Sequence, residues 1–349
     1  MSVRWGIIGA ANIAVKKVIP AMQAGEFCEI SAIASRDIEK AERVAKELNI
    51  PKAFGSYEQL LADPDIDAVY NPLPNNLHLE WTVRAAEAGK HVLCEKPLGL
   101  NAGEVRRLIE VRDRTNVKIQ EAFMIRDHPT WISVRELIGS GRIGELRAVS
   151  GFFSYFNVDR SNIRNKSEMG GGALLDIGCY CINTSRFVFG SEPVSVAGFV
   201  EGDREMGIDR LSSAMLRFPN GHSVFTCSTQ LVPFQRMYFL GTSGRIEVQI
   251  PFNIPTDTPT RLFVDDGSDL YGENIETIEF EPANQYTIQG DLFSRAIKGE
   301  LTQVATLEDS FLNMAALDAV FRSATSGKME EPERLRSPIS GAPGQNPGP

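Results

Sequence analysis

Three residues of this chain combine types and spacing that could move a proton: Lys96, Asp176 and Tyr180. Lys96 ends the run His91-Val-Leu-Cys-Glu-Lys-Pro97, where proline stops ladder pairing and leaves an ammonium at the carboxyl end of a strand. Open α/β sheets bind their ligands at that end. Asp176 and Tyr180 follow the run Gly170-Gly-Gly172 and stand four residues apart, on one face of a helix expected over residues 173–188. An alcohol that loses hydride must also lose its hydroxyl proton, so a base must stand beside it. A free phenol, with a pKa near 10, is about three units too weak an acid at neutral pH. An ammonium about 4 Å away supplies roughly 4 kcal/mol at an effective dielectric near 20, or about three units. Lys96 could thus tune Tyr180 into a proton shuttle, with Asp176 orienting the pair or holding a substrate hydroxyl. Direct shuttling by Lys96 is the competing assignment. The plain alternative is a solvated strand-end lysine beside a helix with a partly polar face.

The elements that must position these residues fall into two patterns. Up to residue 123, short apolar runs at 3–9, 29–35, 52–54, 68–71, 91–94 and 118–123 alternate with helical stretches. Such alternation implies right-handed βαβ crossovers and a doubly wound parallel sheet. After about residue 125 comes a helix at 131–138, then strand-like runs at 145–156, 210–218, 222–229, 236–240, 245–249, 262–265 and 276–280. Pro219-Asn220-Gly221 and Gly241-Thr242-Ser243-Gly244 read as hairpin turns, so a mostly antiparallel, open-faced sheet is expected. Helices follow at 289–298 and 307–326. The expected division is α/β overall: a nucleotide-binding domain at 1–124, an α+β domain at 125–330, and a Pro/Gly-rich tail at 331–349.

Composition narrows the classes. The 349 residues carry a formal charge of −9, which argues against a nucleic-acid partner. No apolar stretch reaches membrane-spanning length, and the chain enters a strand at once with no signal peptide, so a cytoplasmic protein is expected. Five cysteines without CxxC spacing read as small apolar fillers of a reducing compartment. Four scattered histidines give no metal site.

The first β–α turn reads Gly9-Ala10-Ala11-Asn12-Ile13-Ala14, a dinucleotide fingerprint with alanine at its second and third glycine positions. Gly9 permits the tight turn, and small residues let the Ala11–Asn12–Ile13 backbone approach a pyrophosphate. NAD sites usually place an acid at the end of the second strand. Here Ser35 and Arg36 stand there, a hydroxyl and a forked cation suited to a 2′-phosphate, with Asp37 one step beyond. That pair favours NADP(H) over NAD(H). Pro74 and Asn75, before His78, form a rigid loop whose amides can face a cofactor or simply start a helix.

These motifs together resemble the Gfo/Idh/MocA oxidoreductases. The resemblance is carried by residues 6–14, Pro74-Asn75 with His78, Glu95-Lys96-Pro97, Glu121-Ala-Phe-Met-Ile-Arg126 with His128-Pro129, and residues 170–180, in order along residues 3–325. Tyr180 is similar to the branch of glucose–fructose oxidoreductase, aldose (xylose) dehydrogenase and dimeric dihydrodiol dehydrogenase. Ala11, Ala14, Ile125 and Asp127 depart from the pattern. The resemblance implies hydride transfer between a sugar or polyol carbinol, plausibly pyranose C1, and nicotinamide C4. It places Glu95 and Arg126 at the cofactor, and His128, Tyr155 and Arg164 at the substrate. His128 as a plain capping residue is the other reading. It also implies a homodimer or homotetramer assembled through the second sheet. Rival readings of the same residues are a dihydrodiol dehydrogenase, an anhydro-sugar reductase, or a regulator that binds NADP without turnover. The Lys96–Pro97 bond is open to either isomer, trans being the commoner.

Overall fold

A computed structural model describes residues 2–301 and 305–335. The expected tail lies mostly outside the described residues. Strands β1 (Val3–Ile8), β2 (Cys28–Ala34), β3 (Lys52–Phe54), β4 (Ala68–Asn71), β5 (His91–Glu95) and β6 (Ile119–Ala122) form one sheet in the order β3-β2-β1-β4-β5-β6. Every pairing in it is parallel, as the alternating pattern requires. Its strands are apolar on both faces because helices cover both. These are α1 (Ile19–Gln23), α2 (Ile38–Glu47), α3 (Tyr57–Ala62), α4 (His78–Glu87) and α5 (Ala102–Thr115). Side-chain caps fix several starts: Asp37, Ser56 and Asn101 each accept an amide from the first turn of their helix. The strand order reverses between β1 and β4, and the crevice at that switch point is where this architecture binds ligands.

After α6 (Pro129–Gly139), an eight-stranded sheet runs in the order β14-β13-β12-β11-β7-β10-β9-β8. Its strands are β7 (Leu146–Phe156), β8 (Ser195–Gly202), β9 (Asp209–Phe218), β10 (Gly221–Ser228), β11 (Gln230–Gly241), β12 (Arg245–Val248), β13 (Thr260–Asp265) and β14 (Glu276–Phe280). Both expected hairpins are present, with Phe218 opposite Gly221 and Leu240 opposite Arg245. The sheet is mostly antiparallel, with one parallel pair, β7 and β10. Strand β8 has no counterpart among the expected elements, because Gly198 and Gly202 dilute its pattern.

One face of this sheet packs on α7 (Cys179–Phe189), which continues a π-helical turn at Leu174–Gly178. A second π-helical turn, Ala14–Val18, precedes α1. Single π turns inside helices occur often at functional sites. The last helices, α8 (Gln285–Ile297) and α9 (Leu307–Ser326), fasten the two sheets together. On α8, Phe293 packs 5.9 Å from the Trp5 ring and Ser294 accepts the Trp5 indole proton at 3.1 Å. On α9, Asp318 accepts the Ala102 amide at 2.8 Å, and Glu308 pairs with Arg112.

Candidate active site

The two sheets meet along a cleft of about 690 Å³. At one end lies the turn after β1. Gly9 has φ +94°, and a Cβ on it would sit 2.9 Å from the Leu73 side chain. The small residues Ala10 and Ala11, with Asn12 and Ile13, present their chain to the cleft beside Pro72, Pro74 and Asn75. This cradle fits a dinucleotide, whose pyrophosphate requires close backbone approach at this turn.

At the other end stands Lys96. Strand β5 carries it outward, and the Lys96–Pro97 bond is cis. The ammonium donates to the Asp176 carbonyl at 2.5 Å and to Asp176 Oδ1 at 3.2 Å. Asp176 is a hub. The Tyr155 hydroxyl donates to its Oδ2 at 2.6 Å, and Arg164 Nε lies 3.2 Å from both oxygens. Burial alone would raise the Asp176 pKa, but the Lys96 and Arg164 charges and the Tyr155 hydrogen bond hold it at about 2. Burial is the largest influence on Lys96 and opposes its charge, but Asp176, Cys179 and Glu95 together more than offset it, so the ammonium persists above its ordinary range.

Tyr180 lies beside this hub but not in it. Its ring is held by Phe123, Phe153 and Phe252, with centroids 5.3–5.9 Å away. Lys96 Nζ sits over the ring face, 4.9 Å from the centroid, and the hydroxyl donates to the Met124 thioether at 3.6 Å. Burial pushes the phenol well above its ordinary pKa. The expected lowering by Lys96 is therefore corrected: burial, with the nearby Glu95 and Asp176 carboxylates, disfavours the phenolate in this packing.

The cleft gathers most of the residues singled out from sequence: Ala11, Asn12, Ile13, Pro74, Asn75, His78, Glu95, Lys96, Tyr155, Arg164, Asp176 and Tyr180. Several have structural partners as well. Asn75 donates to the Gly170 carbonyl at 2.8 Å, and Glu95 accepts the Tyr70 hydroxyl at 2.5 Å. The His78 ring lies 2.7 Å from both the Leu73 and the Pro97 carbonyl, so its nitrogens serve the backbone. Gly172, at φ +116°, packs so tightly on Asp209 that a Cβ would overlap its carboxylate.

Others stand apart from the cleft wall. Ser35 is buried, with its hydroxyl accepting the Asp37 amide, and Arg36 is exposed at the same strand end. Arg126 and His128 are corrections. The Arg126 guanidinium pairs with Asp309 and stacks over Phe187, and His128 is fully buried, capping α6 through the Thr130 amide at 3.2 Å. Each is drawn inward by a partner that only the fold supplies, or by its own helix start.

The sequence reading missed Lys40, Asn253 and Tyr286, all of which line the cleft. Lys40 is three residues past the α2 cap, a spacing visible in sequence. Asn253 and Tyr286 arrive from a loop and from α8, and no motif marks them. Among the described residues, no helix is long and apolar enough to cross a membrane.

Fold and site together define a dinucleotide-dependent oxidoreductase: a parallel sheet with a pyrophosphate cradle, facing a buried lysine, carboxylate and phenol across one cleft. The chain belongs to the Gfo/Idh/MocA oxidoreductase family. Residues 3–123 match the model for its NAD-binding Rossmann fold, and residues 131–247 match a Gfo/Idh/MocA C-terminal domain. An uncharacterised oxidoreductase of Rhizobium meliloti is 47% identical over 94% of this chain and 98% of its own length. D-xylose 1-dehydrogenase (NADP(+)) 2 of Haloferax volcanii is 38% identical over 94% of this chain and 99% of its own. A 3-ketoreductase from Actinomadura kijaniata, solved with NADP and TDP-benzene, has a TM-score of 0.86 at 29% identity. That match covers 93% of this chain and 98% of the reductase.

Proposed function

We propose that this enzyme transfers hydride between a sugar or polyol carbinol and NADP(H), with Lys96, Tyr180 and Asp176 as its catalytic residues. The observation that carries the reading is the Lys96–Asp176 pair beside Tyr180, in the same cleft as the Gly9 turn. Bound NADP(H) supplies the hydride acceptor or donor. Lys96 donates to the reacting oxygen, and Asp176, with its lone pairs already taken by Lys96, Tyr155 and Arg164, fixes the ammonium. Tyr180 keeps a hydroxyl whose protein contact is a weak thioether acceptor, so a substrate oxygen competes for it easily. In reduction the neutral phenol gives its proton to the carbonyl oxygen; in oxidation its deprotonated form takes the alcohol proton. A relative that is a D-xylose dehydrogenase and a neighbour that is a 3-ketoreductase support a carbohydrate substrate. In variant structures of that reductase, a lysine and a tyrosine are replaced that lie as far apart in sequence as Lys96 and Tyr180.

Preference for NADP(H) follows from charge at the end of β2. Arg36 stands there, and Lys40 lines the cleft. The Asp37 carboxylate, which could have held a ribose diol, instead caps α2 by accepting the Lys40 amide at 3.1 Å. Assembly as a homodimer or homotetramer uses the uncovered face of the large sheet, where Phe199 is 80% exposed beside Met215 and Val224. Five free, buried cysteines suit a reducing, cytoplasmic setting. The test is NADP(+) reduction with a panel of aldoses and polyols, alongside NADPH binding by fluorescence. Tight NADPH binding with no turnover of any member would reject the catalytic reading in favour of a binding role.

A further inference from the structure

The turn that carries Lys96 is held on three sides. Asp176 takes the ammonium, the His78 ring lies against the Pro97 carbonyl, and the Leu98 amide donates to Glu121 Oε1 at 2.8 Å. Glu121 projects from β6, the neighbour of β5, and is 5% exposed. A carboxylate at such depth is expensive in desolvation, and a neutral amide could accept one N–H as well. Its surroundings offset only part of that cost. Burial pushes Glu121 up to about 7, and the Ser310 hydroxyl, the Leu98 amide and the more distant Arg186 oppose that rise. Asp309 raises it further, and the Cys94 and Cys179 thiols are its other titratable neighbours.

We propose that Glu121 is a positioning residue for the reaction: by accepting the Leu98 amide, its carboxylate fixes the turn that holds the Lys96 ammonium against Asp176. The inference rests on the catalytic reading of Lys96 given above. Helix α9 makes the arrangement coherent. Ser310 supports Glu121 behind the Lys96 turn, and its neighbour Asp309 accepts from Arg186 of α7 at 3.0 Å. Adjacent residues of one helix therefore face the Glu121 carboxylate and the helix that carries Tyr180.

The test uses the full chain in four forms: wild type, Glu121→Met, Glu121→Asp and Glu121→Gln. Met and Asp both withdraw the acceptor from Leu98, and Asp keeps the charge, so one variant remains informative should the other fail to fold. Gln retains a carbonyl at the same reach. Acylation of Lys96 by limiting acetic anhydride, read by peptide mass spectrometry, needs no substrate. The expected result is labelling about fivefold faster in the Met and Asp variants and within about twofold of wild type in Gln. NADPH affinity should stay within about threefold throughout. Turnover should fall at least about tenfold in the Met and Asp variants, yet less than about twofold when the same changes are made on a Lys96→Ala background. Unchanged Lys96 labelling, or an equal loss of turnover on both backgrounds, would overturn the proposal. Wild-type turnover in Lys96→Ala itself would instead reject the catalytic role of Lys96, and the labelling would still report whether Glu121 holds the ammonium.

Discussion

The Lys96 ammonium lies over the face of the Tyr180 ring, 4.9 Å from its centre, while the Tyr180 hydroxyl turns to the Met124 thioether. The two residues touch as cation and π system, and the carboxylate partner of Lys96 is Asp176. Division of labour follows from this geometry. Lys96 is locked as a cation by Asp176 and suits a fixed donor. Tyr180 is a neutral phenol with a lightly engaged proton.

Replacing Tyr180 by Phe keeps the ring that Lys96 covers and removes only the exchangeable proton. Turnover should fall by about 10²–10⁴, with NADPH affinity nearly unchanged. Steady-state kinetics with the best sugar of the panel checks this. Near-wild-type turnover would move the proton transfer to Lys96.

Removing the Asp176 carboxylate strands two cations. Asp176→Ala should cost about 3–5 kcal/mol of stability, the usual result of breaking one side of a buried pair. Urea denaturation measures it. The carboxylate pKa is held at about 2, below the ordinary value near 3.9, so its contribution is present above about pH 4 and fades as pH falls through 2. The alanine variant should therefore lose much of the wild-type decline in stability over that acid range.

Glu121 titrates in the opposite sense. Its folded pKa of about 7 lies above an unfolded value near 4.3, so the folded state binds more protons between these limits. Stability should then decline as pH rises from about 4.3 to 7, by up to roughly 3 kcal/mol from this group. Glu121→Gln cannot titrate and should flatten that slope in thermal melts between pH 5 and 7. A slope identical to wild type would place the titration elsewhere, for example at Asp127 or Asp209, both raised to about 6 by burial.

The proposed preference for NADP(H) should yield to charge. Arg36→Ala combined with Lys40→Ala should weaken NADPH by about 1.5–3 kcal/mol, the range for hydrogen bonds to charged groups, and leave NADH almost unaffected. Titration by fluorescence decides it. Equal losses for both cofactors would remove the 2′-phosphate from the β2 end.

The proposed assembly should dissolve when like charges are placed on the uncovered sheet face. Phe199→Glu with Val224→Glu adds two carboxylates to a surface now apolar, at positions 80% and 40% exposed. Light scattering should report a shift towards monomer with the melting temperature kept. An unchanged mass would shift the interface to another surface.

The sequence by itself determined what depends on neighbours along the chain. Alternating apolar runs and helical patterns specified the parallel sheet, and the Gly9 motif and the Glu95-Lys96-Pro97 strand end put a tight turn and an ammonium at its carboxyl edge. The four-residue interval put Asp176 and Tyr180 on one face, which survives the π turn beneath them. Tertiary structure decided what depends on partners distant in sequence. Asp309, 183 residues beyond Arg126, drew that guanidinium away from the cleft, and α8 brought Tyr286 into it. The parallel pairing of β7 with β10 follows no local rule. Above all, a residue type states which proton a side chain can carry, but not the burial or the direction from which a charge meets it. Packing set both at Tyr180: three aromatic rings desolvate the phenol, and Lys96 approaches its face instead of its oxygen.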